Sequence, residues 1–203
     1  MLIFKLKRMT ELLYNEWDMG KKASGAKGKT CAYIYLFEIL SETEKLVLKK
    51  ENNKIVGFAG YSNWNSKKRI IPKKIYGLMA KILINGPLVK NKQAIYDYNK
   101  AYDVIPSDLS NYFDGELSIL IVDKKYRGKG YGKALLNKIF SLAKIDNMRN
   151  MQILTDESCN FKFYDAMDCK RIRKLSVSKK VSEKGEDKYI YEKVLKEGEE
   201  NEV

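Results

Sequence analysis

Apolar and polar positions in the first part of the chain predict a strand, two helices and a hairpin. Alternating apolar residues in 2–9 favour a strand, and Thr10 can cap the helix that follows. Apolar side chains recur at helical spacing in 31–41, which predicts a second helix. The runs 45–50 and 54–61 flank a pair of asparagines that tolerate the positive φ of a tight turn, so they predict a hairpin.

A long segment, residues 65–114, separates this hairpin from the next apolar run. It contains a predicted helix over 74–83, with apolar side chains every three or four residues, and a second stretch around 92–102. These apolar side chains need a partner, because large exposed apolar patches are rare on monomeric proteins. We therefore expect the segment to contribute to a substrate pocket or to a subunit interface, for example in a homodimer.

The remaining apolar runs predict a strand, a helix, a strand, a short helix and a final hairpin. These elements span 117–122, 133–145, 152–155, 161–167, and 171–178 paired with 188–195. Residues 197–203 carry four glutamates and are expected to form an acidic tail. With 203 residues and 44% hydrophobic composition, the pattern predicts one α/β domain over residues 1–203.

A glycine-rich turn lies between the 117–122 strand and the 133–145 helix. Its residues are Arg127, Gly128, Lys129, Gly130, Tyr131, Gly132 and Lys133. Alternating glycines let the backbone turn tightly and direct several N–H groups into one concavity, and such a concavity at a helix N-terminus binds phosphate. A P-loop is excluded because Ala134 follows the lysine where a hydroxyl is required, and the dinucleotide fingerprint fails because the third glycine comes one position early. A purely structural turn is the alternative.

The turn resembles the acyl-CoA-binding motif of the GNAT superfamily of N-acyltransferases. Arg127, Gly130 and Gly132 stand at the positions of that motif, between a strand and a helix as the family requires. The resemblance runs from residue 115 to 195, and more loosely back to residue 46. It implies a twisted, largely antiparallel mixed sheet with helices on both faces, split where the fourth and fifth strands diverge. Segment 65–114 would then be a helical insertion before the fourth strand, where a family member usually has a short turn.

The same resemblance implies that acetyl-CoA is the co-substrate and that no metal takes part. The glycine turn would hold the pyrophosphate of coenzyme A. The backbone of Leu120, Ile121 and Val122 would bind the pantetheine arm, and one of its N–H groups would polarise the thioester carbonyl. Asn160 is a further candidate cofactor contact, with capping of the short helix as its alternative role.

Two residues are candidates for proton transfer, since the chain contains no histidine. The resemblance implies that Tyr164 protonates the departing coenzyme A thiolate; a packed aromatic is the alternative. An acceptor amine of pKa ~10.4 is almost fully protonated at neutral pH, so a base is needed. Glu116 aligns with an acidic position that often serves as that base, although an ordinary carboxylate at a strand edge would look the same. Cys159 has no histidine to activate it, which argues against a covalent intermediate.

Charge and composition narrow the function classes without selecting an acceptor. The formal net charge is +13, but lysines spread along the chain lack the aromatic and basic stripe of a nucleic-acid surface, so specific nucleic-acid binding is only a third reading. No apolar run approaches the ~20 residues that span a bilayer, and three cysteines do not suggest a disulfide framework, so we expect a cytoplasmic protein without a membrane partner. The main prediction is acetyl transfer to an amine of a small molecule or peptide in a ternary complex; a non-catalytic acyl-CoA-binding module is the alternative.

Overall fold

A computed structural model describes residues 2–17, 26–27, 29–66, 71–96, 106–109, 111–157, 159–176 and 187–196. The helices are α1 (Leu2–Glu16), α2 (Thr30–Glu42), α3 (Ile71–Ile84), α4 (Tyr131–Ile145) and α5 (Lys162–Asp165). The strands are β1 (Lys45–Glu51), β2 (Lys54–Asn63), β3 (Gly115–Val122), β4 (Asn150–Asp156), β5 (Lys170–Ser176) and β6 (Asp187–Val194). Short 3-10 turns cover Ser107–Leu109 and Lys124–Tyr126. The predicted tail, 197–203, lies outside the described residues.

The strands form a mixed sheet in the order β1-β2-β3-β4-β6-β5, which confirms the predicted fold class. All neighbours are antiparallel except β3 and β4, which are parallel and register at a single pair, Glu116 with Gln152. The sheet is therefore split toward the C-terminal ends of these two strands. The resemblance predicts this split between the fourth and fifth strands, but it lies between the third and fourth. The numbers differ because the described chain has no strand before β1.

The predicted strand at residues 2–9 is wrong, since this segment opens the 15-residue helix α1. Three apolar residues two apart favour a strand locally, but the burial of Met9, Leu12 and Leu13 follows helical spacing. These side chains pack with α2 against the sheet, and that tertiary contact decides the conformation. Thr10 is consequently not a helix cap; it lies within α1, and its hydroxyl donates to the carbonyl oxygen of Leu6 at 2.9 Å.

Helices cover both faces of the sheet, as predicted. Helix α4 buries Leu135, Leu136 and Ile139 on one face, in a core cluster that includes Met151 and Ile153 of β4. Helices α1 and α2 cover the opposite face of β2 and β3 in a second cluster. No helix in the described part of the chain is long and apolar enough to cross a bilayer.

The segment between β2 and β3 contains the predicted helix, α3, and a helical stretch at 92–96; residues 97–105 lie outside the description. Helix α3 packs on α2 and buries Ala80 and Ile84. Its predicted apolar face stays largely exposed in the single chain, at Ile75, Leu78, Met79 and Ile82. The expectation that this segment forms an interface or part of the acceptor pocket stays a prediction.

Candidate acyl-CoA site

The glycine turn places two left-handed residues directly before α4. Gly128 has φ 78° and Gly130, the residue that precedes the helix, has φ 76°. Residues that carry a side chain rarely adopt this backbone conformation, so glycine permits the turn at both positions. A Cβ atom built on either glycine would meet nothing within 4 Å, which means that this side of the turn is open.

The turn presents a run of free backbone donors. Within the described chain, the six consecutive N–H groups of residues 128–133 have no acceptor; the first bond into the helix is donated by Ala134 to the carbonyl oxygen of Gly130, at 3.0 Å. Free N–H groups at the start of a helix, together with the positive end of its dipole, attract a phosphate. The arrangement fits the predicted pyrophosphate site.

Gly132 contacts a different part of the protein. A Cβ atom at this position would lie 3.5 Å from the ring of Phe163 and 3.9 Å from a methyl group of Val122, both ordinary contacts. Leu120, Val122, Phe163 and the candidate acid Tyr164 are half-buried against the α4 core cluster. The fold therefore brings the end of β3, the glycine turn and α5 close together, beside the split between β3 and β4.

Carboxylates from distant elements neutralise the basic side chains of the turn. Arg127 pairs with Glu16 at the end of α1, and Lys129 pairs with Glu51 at the end of β1, with 3.0 Å between Nζ and Oε1. The Glu16 side chain is 5% exposed and also accepts a hydrogen bond from the backbone N–H of Lys124 at 3.0 Å. The hydrogen bond from Lys129 to Glu51 raises the pKa of the lysine. Sequence reasoning missed both carboxylates, because only the packing of α1 and β1 brings them to the turn.

Asp123 at the end of β3 has a structural role. It accepts hydrogen bonds from Arg8 of α1 at 2.6 Å and from the backbone N–H of Lys125 at 3.0 Å, and so caps the 3-10 turn that leads to the glycines. Burial opposes ionisation, but these hydrogen bonds outweigh it, and the pKa of Asp123 lies below its ordinary value. A carboxylate held ionised by two donors is a poor proton acceptor, so Asp123 is a weaker candidate base than Glu116.

Strand β3 contains a bulge, in its pairing with β2, that the sequence did not predict. Gly60 of β2 pairs with Ile119 while Tyr61 pairs with Leu117, so Ser118 is an extra residue in β3. Its hydroxyl lies 2.8 Å from the hydroxyl of Ser62. A bulge bends its strand and leaves a residue outside the ladder. Here it stands between the Glu116–Gln152 pair and residues 120–122, where β3 leaves β4.

Tyr164 lies in α5 among aromatic and sulfur-containing side chains. Its ring centroid is 5.4 Å from that of Phe163 and 5.7 Å from that of Tyr191. Burial, and after it the neighbouring Cys159 and Cys169, raises the pKa of Tyr164 above its ordinary value, so the phenol is fully protonated at neutral pH. No described residue hydrogen-bonds its hydroxyl. The role of Tyr164 as proton donor stays a prediction.

Asn160 does not cap the short helix. Helix α5 begins at Lys162, its first flanking residue is Phe161, and no side chain caps it. Asn160 is exposed, and its backbone carbonyl oxygen accepts a hydrogen bond from the backbone N–H of Phe163 at 3.0 Å. The predicted helix over 161–167 is shortened to one turn, because Met167 and Cys169 fold back onto the carbonyl oxygen of Tyr164. Cofactor contact by Asn160 stays a prediction.

Glu116 lies on the other side of the sheet from Tyr164. Its neighbour Leu117 packs in the α4 core cluster, and successive strand side chains point to opposite faces. Glu116 is half-buried and registers with Ser62 of β2 and Gln152 of β4. The two candidate proton-transfer residues thus lie on opposite faces of the sheet.

A cavity of 470 Å³ lies near the start of β3 and the end of α4, at the far end of this helix from the glycine turn. Three carboxylates line it, and each has a cationic partner. The pairs are Glu44 with Lys73 at 2.8 Å, Asp114 with Arg149 at 2.8 Å and Asp146 with Lys45 at 2.7 Å. Because its charges are neutralised internally, this cavity is a weaker candidate than the split.

The family model described as "Acetyltransferase (GNAT) family" matches residues 92–167, which contain β3, the glycine turn, α4, β4 and α5. This part of the chain is therefore similar to the GNAT acetyltransferase family, which is the family that the residues of the glycine turn resemble. A search among curated proteins found no match.

Solved structures share the fold at low identity. The smu.2055 protein of Streptococcus mutans UA159 has 18% identity, covers 97% of both chains and has a TM-score of 0.57. Another acetyltransferase crystal structure has 15% identity, with 81% of this chain and 78% of that chain covered, and a TM-score of 0.50. An N-acetyltransferase from Staphylococcus aureus Mu50 has 19% identity, with 74% and 67% covered, and a TM-score of 0.45. At such identities the likeness to the first two structures shows the fold alone.

Proposed function

We propose that this chain transfers an acetyl group from acetyl-CoA to a primary amine in a ternary complex. The observation that carries the proposal is the run of free N–H groups at residues 128–133, which begins α4 beside the split between β3 and β4. A polyanion with a pyrophosphate fits these donors. The match of residues 92–167 to the GNAT acetyltransferase family supports an acetyl thioester as the donor.

Pyrophosphate binding relies first on the backbone and then on the side chains. Phosphate oxygens accept hydrogen bonds from the N–H groups of the turn, whose positions are fixed by Gly128 and Gly130. Arg127 is 58% exposed, so its guanidinium can turn toward phosphate from Glu16 without opening the core. Lys129 has the same choice between Glu51 and phosphate. The two carboxylates hold these cations beside the turn before the cofactor arrives.

The acyl transfer is a direct displacement at the thioester carbonyl. The pantetheine arm lies along residues 120–122 in the split, and a backbone N–H of β3 donates to the carbonyl oxygen as negative charge develops there. The amine nitrogen attacks the carbonyl carbon, the C–S bond breaks, and the electron pair leaves with sulfur. Tyr164 protonates the thiolate, and Glu116 removes a proton from the amine, directly or through water.

The two proton transfers involve different reactants: Glu116 takes a proton from the acceptor amine, and Tyr164 gives one to the departing thiolate. Deprotonation of an amine with pKa ~10.4 at pH 7 costs about 4.6 kcal/mol, which gives Glu116 a substantial role near neutral pH. Tyr164 remains protonated throughout the physiological range, because burial raises its pKa. The placement of one group on each side of the sheet fits a cofactor that enters from one side and an acceptor that enters from the other.

The decisive experiment is a panel of primary amines assayed with acetyl-CoA by release of free thiol. Acetyl-CoA-dependent transfer to at least one amine is expected, and a Gly130→Glu variant should lose it while it still folds. Binding of acetyl-CoA without transfer to any amine would favour the non-catalytic binding module. Absence of both binding and transfer would refute the proposed function.

The role of Glu116 is tested by the pH dependence of turnover. A Glu116→Gln variant should lose most activity near pH 7 and regain part of it toward pH 10, where the amine begins to deprotonate without help. The control is the affinity for acetyl-CoA, which should not change. An equal loss at every pH would remove Glu116 as the base.

A further inference from the structure

A row of polar side chains crosses four strands on the face opposite to α4. The register places Ser62, Glu116, Gln152 and Glu192 side by side. The residues that precede Ser62, Gln152 and Glu192, and the residue that follows Glu116, belong to the α4 core cluster, so all four polar side chains point to the other face. Neighbouring strands lie about 4.8 Å apart, which puts Gln152 between the two carboxylate-bearing residues.

Gln152 differs from its neighbours in this row because its buried side-chain amide makes no hydrogen bond. Its side chain is 0% exposed, and neither the amide nitrogen nor the amide oxygen has a hydrogen-bond partner. Two neighbours are engaged by the protein: Ser62 by Ser118 at 2.8 Å, and Glu192 by the hydroxyl of Tyr112 at 2.8 Å. A buried amide without partners destabilises a fold, and an apolar residue of the same shape would avoid that cost. Such a group calls for a partner, and none of the described residues provides one.

We propose that Gln152 binds the acceptor substrate and selects an amine that also carries a hydroxyl or amide group. The inference rests on the proposed function. Gln152 registers with the candidate base, Glu116, on the face of the sheet from which the acceptor is proposed to enter. Because the amide is 0% exposed in the free chain, the proposal requires neighbouring side chains to rearrange when the acceptor binds. Its contact with the substrate sets specificity, whereas proton transfer belongs to Glu116.

The chemistry of the amide selects the class of acceptor. Gln152 offers one oxygen that accepts and one nitrogen that donates, so a partner that satisfies both must itself donate and accept. A hydroxyl or an amide does both. The second ammonium of a plain diamine only donates, which leaves the N–H groups of Gln152 without a partner. The orphaned amide therefore favours an amino alcohol or amino amide over a polyamine.

The position of Gln152 also sets the spacing within the acceptor. Leu120, near which the thioester carbonyl is expected, lies four residues beyond Glu116, or about 13 Å along the strand at ~3.3 Å per residue. The side chain of Gln152 covers part of that length. The second group of the acceptor must therefore stand several bonds from the reacting nitrogen.

Three probes of equal chain length test the selection: aminopentanol, pentylamine and cadaverine. All are primary alkylamines of similar basicity, so they differ mainly in the group at the far end. We expect kcat/KM for aminopentanol to exceed that for the other two by ~10-fold or more, because a site with a hydrogen-bonding partner rejects substrates that leave it unpaired. Preference for cadaverine or pentylamine would overturn the proposal.

Variants at Gln152 connect this preference to the amide. Gln152→Met keeps the length of the side chain without its polar atoms and should abolish the preference for aminopentanol while acetyl-CoA affinity stays unchanged. Gln152→Asn keeps the amide but withdraws it by one methylene, and should retain part of the preference. Tyr112→Phe is the matched control, since it removes the hydroxyl from Glu192 and leaves Gln152 intact; its preference should equal that of the wild type.

Thermal unfolding separates a substrate-binding role from a structural one. Without acceptor, Gln152→Met should unfold at a higher temperature than the wild type, because it removes an unsatisfied buried amide. A lower Tm, or an unchanged preference for aminopentanol in Gln152→Met, would overturn the proposal. Failure of the wild type to acetylate any of the three probes while it acetylates other amines would also overturn it. Failure to bind acetyl-CoA would instead refute the proposed function.

Discussion

Substitution of Gly130 by alanine tests the proposed phosphate site at the left-handed residue that directly precedes α4. Gly130 precedes α4 with φ 76°, whereas Gly132, two residues later, has no left-handed φ. Alanine at both positions adds the same single methyl group. The two variants therefore differ in backbone strain and in the direction of the added group, and Gly128→Ala, at φ 78°, provides a second variant with the same strain.

The expected effect on folding follows from the backbone alone. A left-handed alanine costs about 1–2 kcal/mol, and no clash adds to it, since nothing lies within 4 Å of a Cβ atom on Gly130. Gly132→Ala has no such strain, its Cβ atom makes an ordinary contact with Phe163, and alanine favours the helix by up to ~1 kcal/mol. Its unfolding free energy should equal or exceed that of the wild type.

The expected effect on acetyl-CoA binding follows from the open side of the turn. The methyl group of Gly130→Ala enters the open space beside the turn, where we propose that the pyrophosphate binds, so we expect acetyl-CoA affinity to fall by ~10-fold or more, about 1.4 kcal/mol. Urea unfolding without acetyl-CoA measures the effect on the unfolding free energy, and the added stabilisation with acetyl-CoA measures the effect on binding. Ligand at 100 times its Kd should stabilise the wild type by ~2.7 kcal/mol, and Gly130→Ala by less at the same concentration. Normal acetyl-CoA stabilisation in a folded Gly130→Ala variant would refute the phosphate site, and normal stability of both Gly130→Ala and Gly128→Ala would refute the left-handed turn.

Three further predictions concern chemistry and stability. Tyr164→Phe removes a hydroxyl without a described partner, so acetyl-CoA affinity and unfolding free energy should stay near wild type while steady-state kcat falls ~100-fold; unchanged kcat with chemistry rate-limiting would exclude the tyrosine as acid. Burial raises the pKa of Cys31 to about 11, above the unfolded value of ~8.5, so the stability it contributes is complete below that lower pH and is lost as pH rises toward 11; urea unfolding should show a shallower alkaline loss in Cys31→Ala. Gly77→Ala within α3 places a Cβ atom 3.6 Å from that of Ser41, an ordinary contact, and should raise the unfolding free energy by ~1 kcal/mol; a decrease would contradict the packing of α3.

The sequence by itself determined the features that depend on neighbouring residues. The hairpin follows from Asn52 and Asn53, which have φ 48° and 60°, and the turn before α4 requires the positive φ of Gly128 and Gly130. The buried face of α4 follows from apolar spacing over fifteen residues, long enough for the helical period to be unambiguous. The GNAT resemblance and the fold class were predictable because the motif occupies this one local segment.

Tertiary structure decided what depends on residues far apart in the chain. The short run 2–9 fits either period, and packing against the sheet made it a helix. Glu16 and Glu51 reach the glycine turn only because α1 and β1 end beside it, more than seventy residues away in sequence. Gln152 stands out in the sequence as a polar residue within an apolar strand, but only the three-dimensional structure shows that its amide is buried and makes no hydrogen bond with the described residues. Local propensity carries no information on such contacts, because their partners come from other elements.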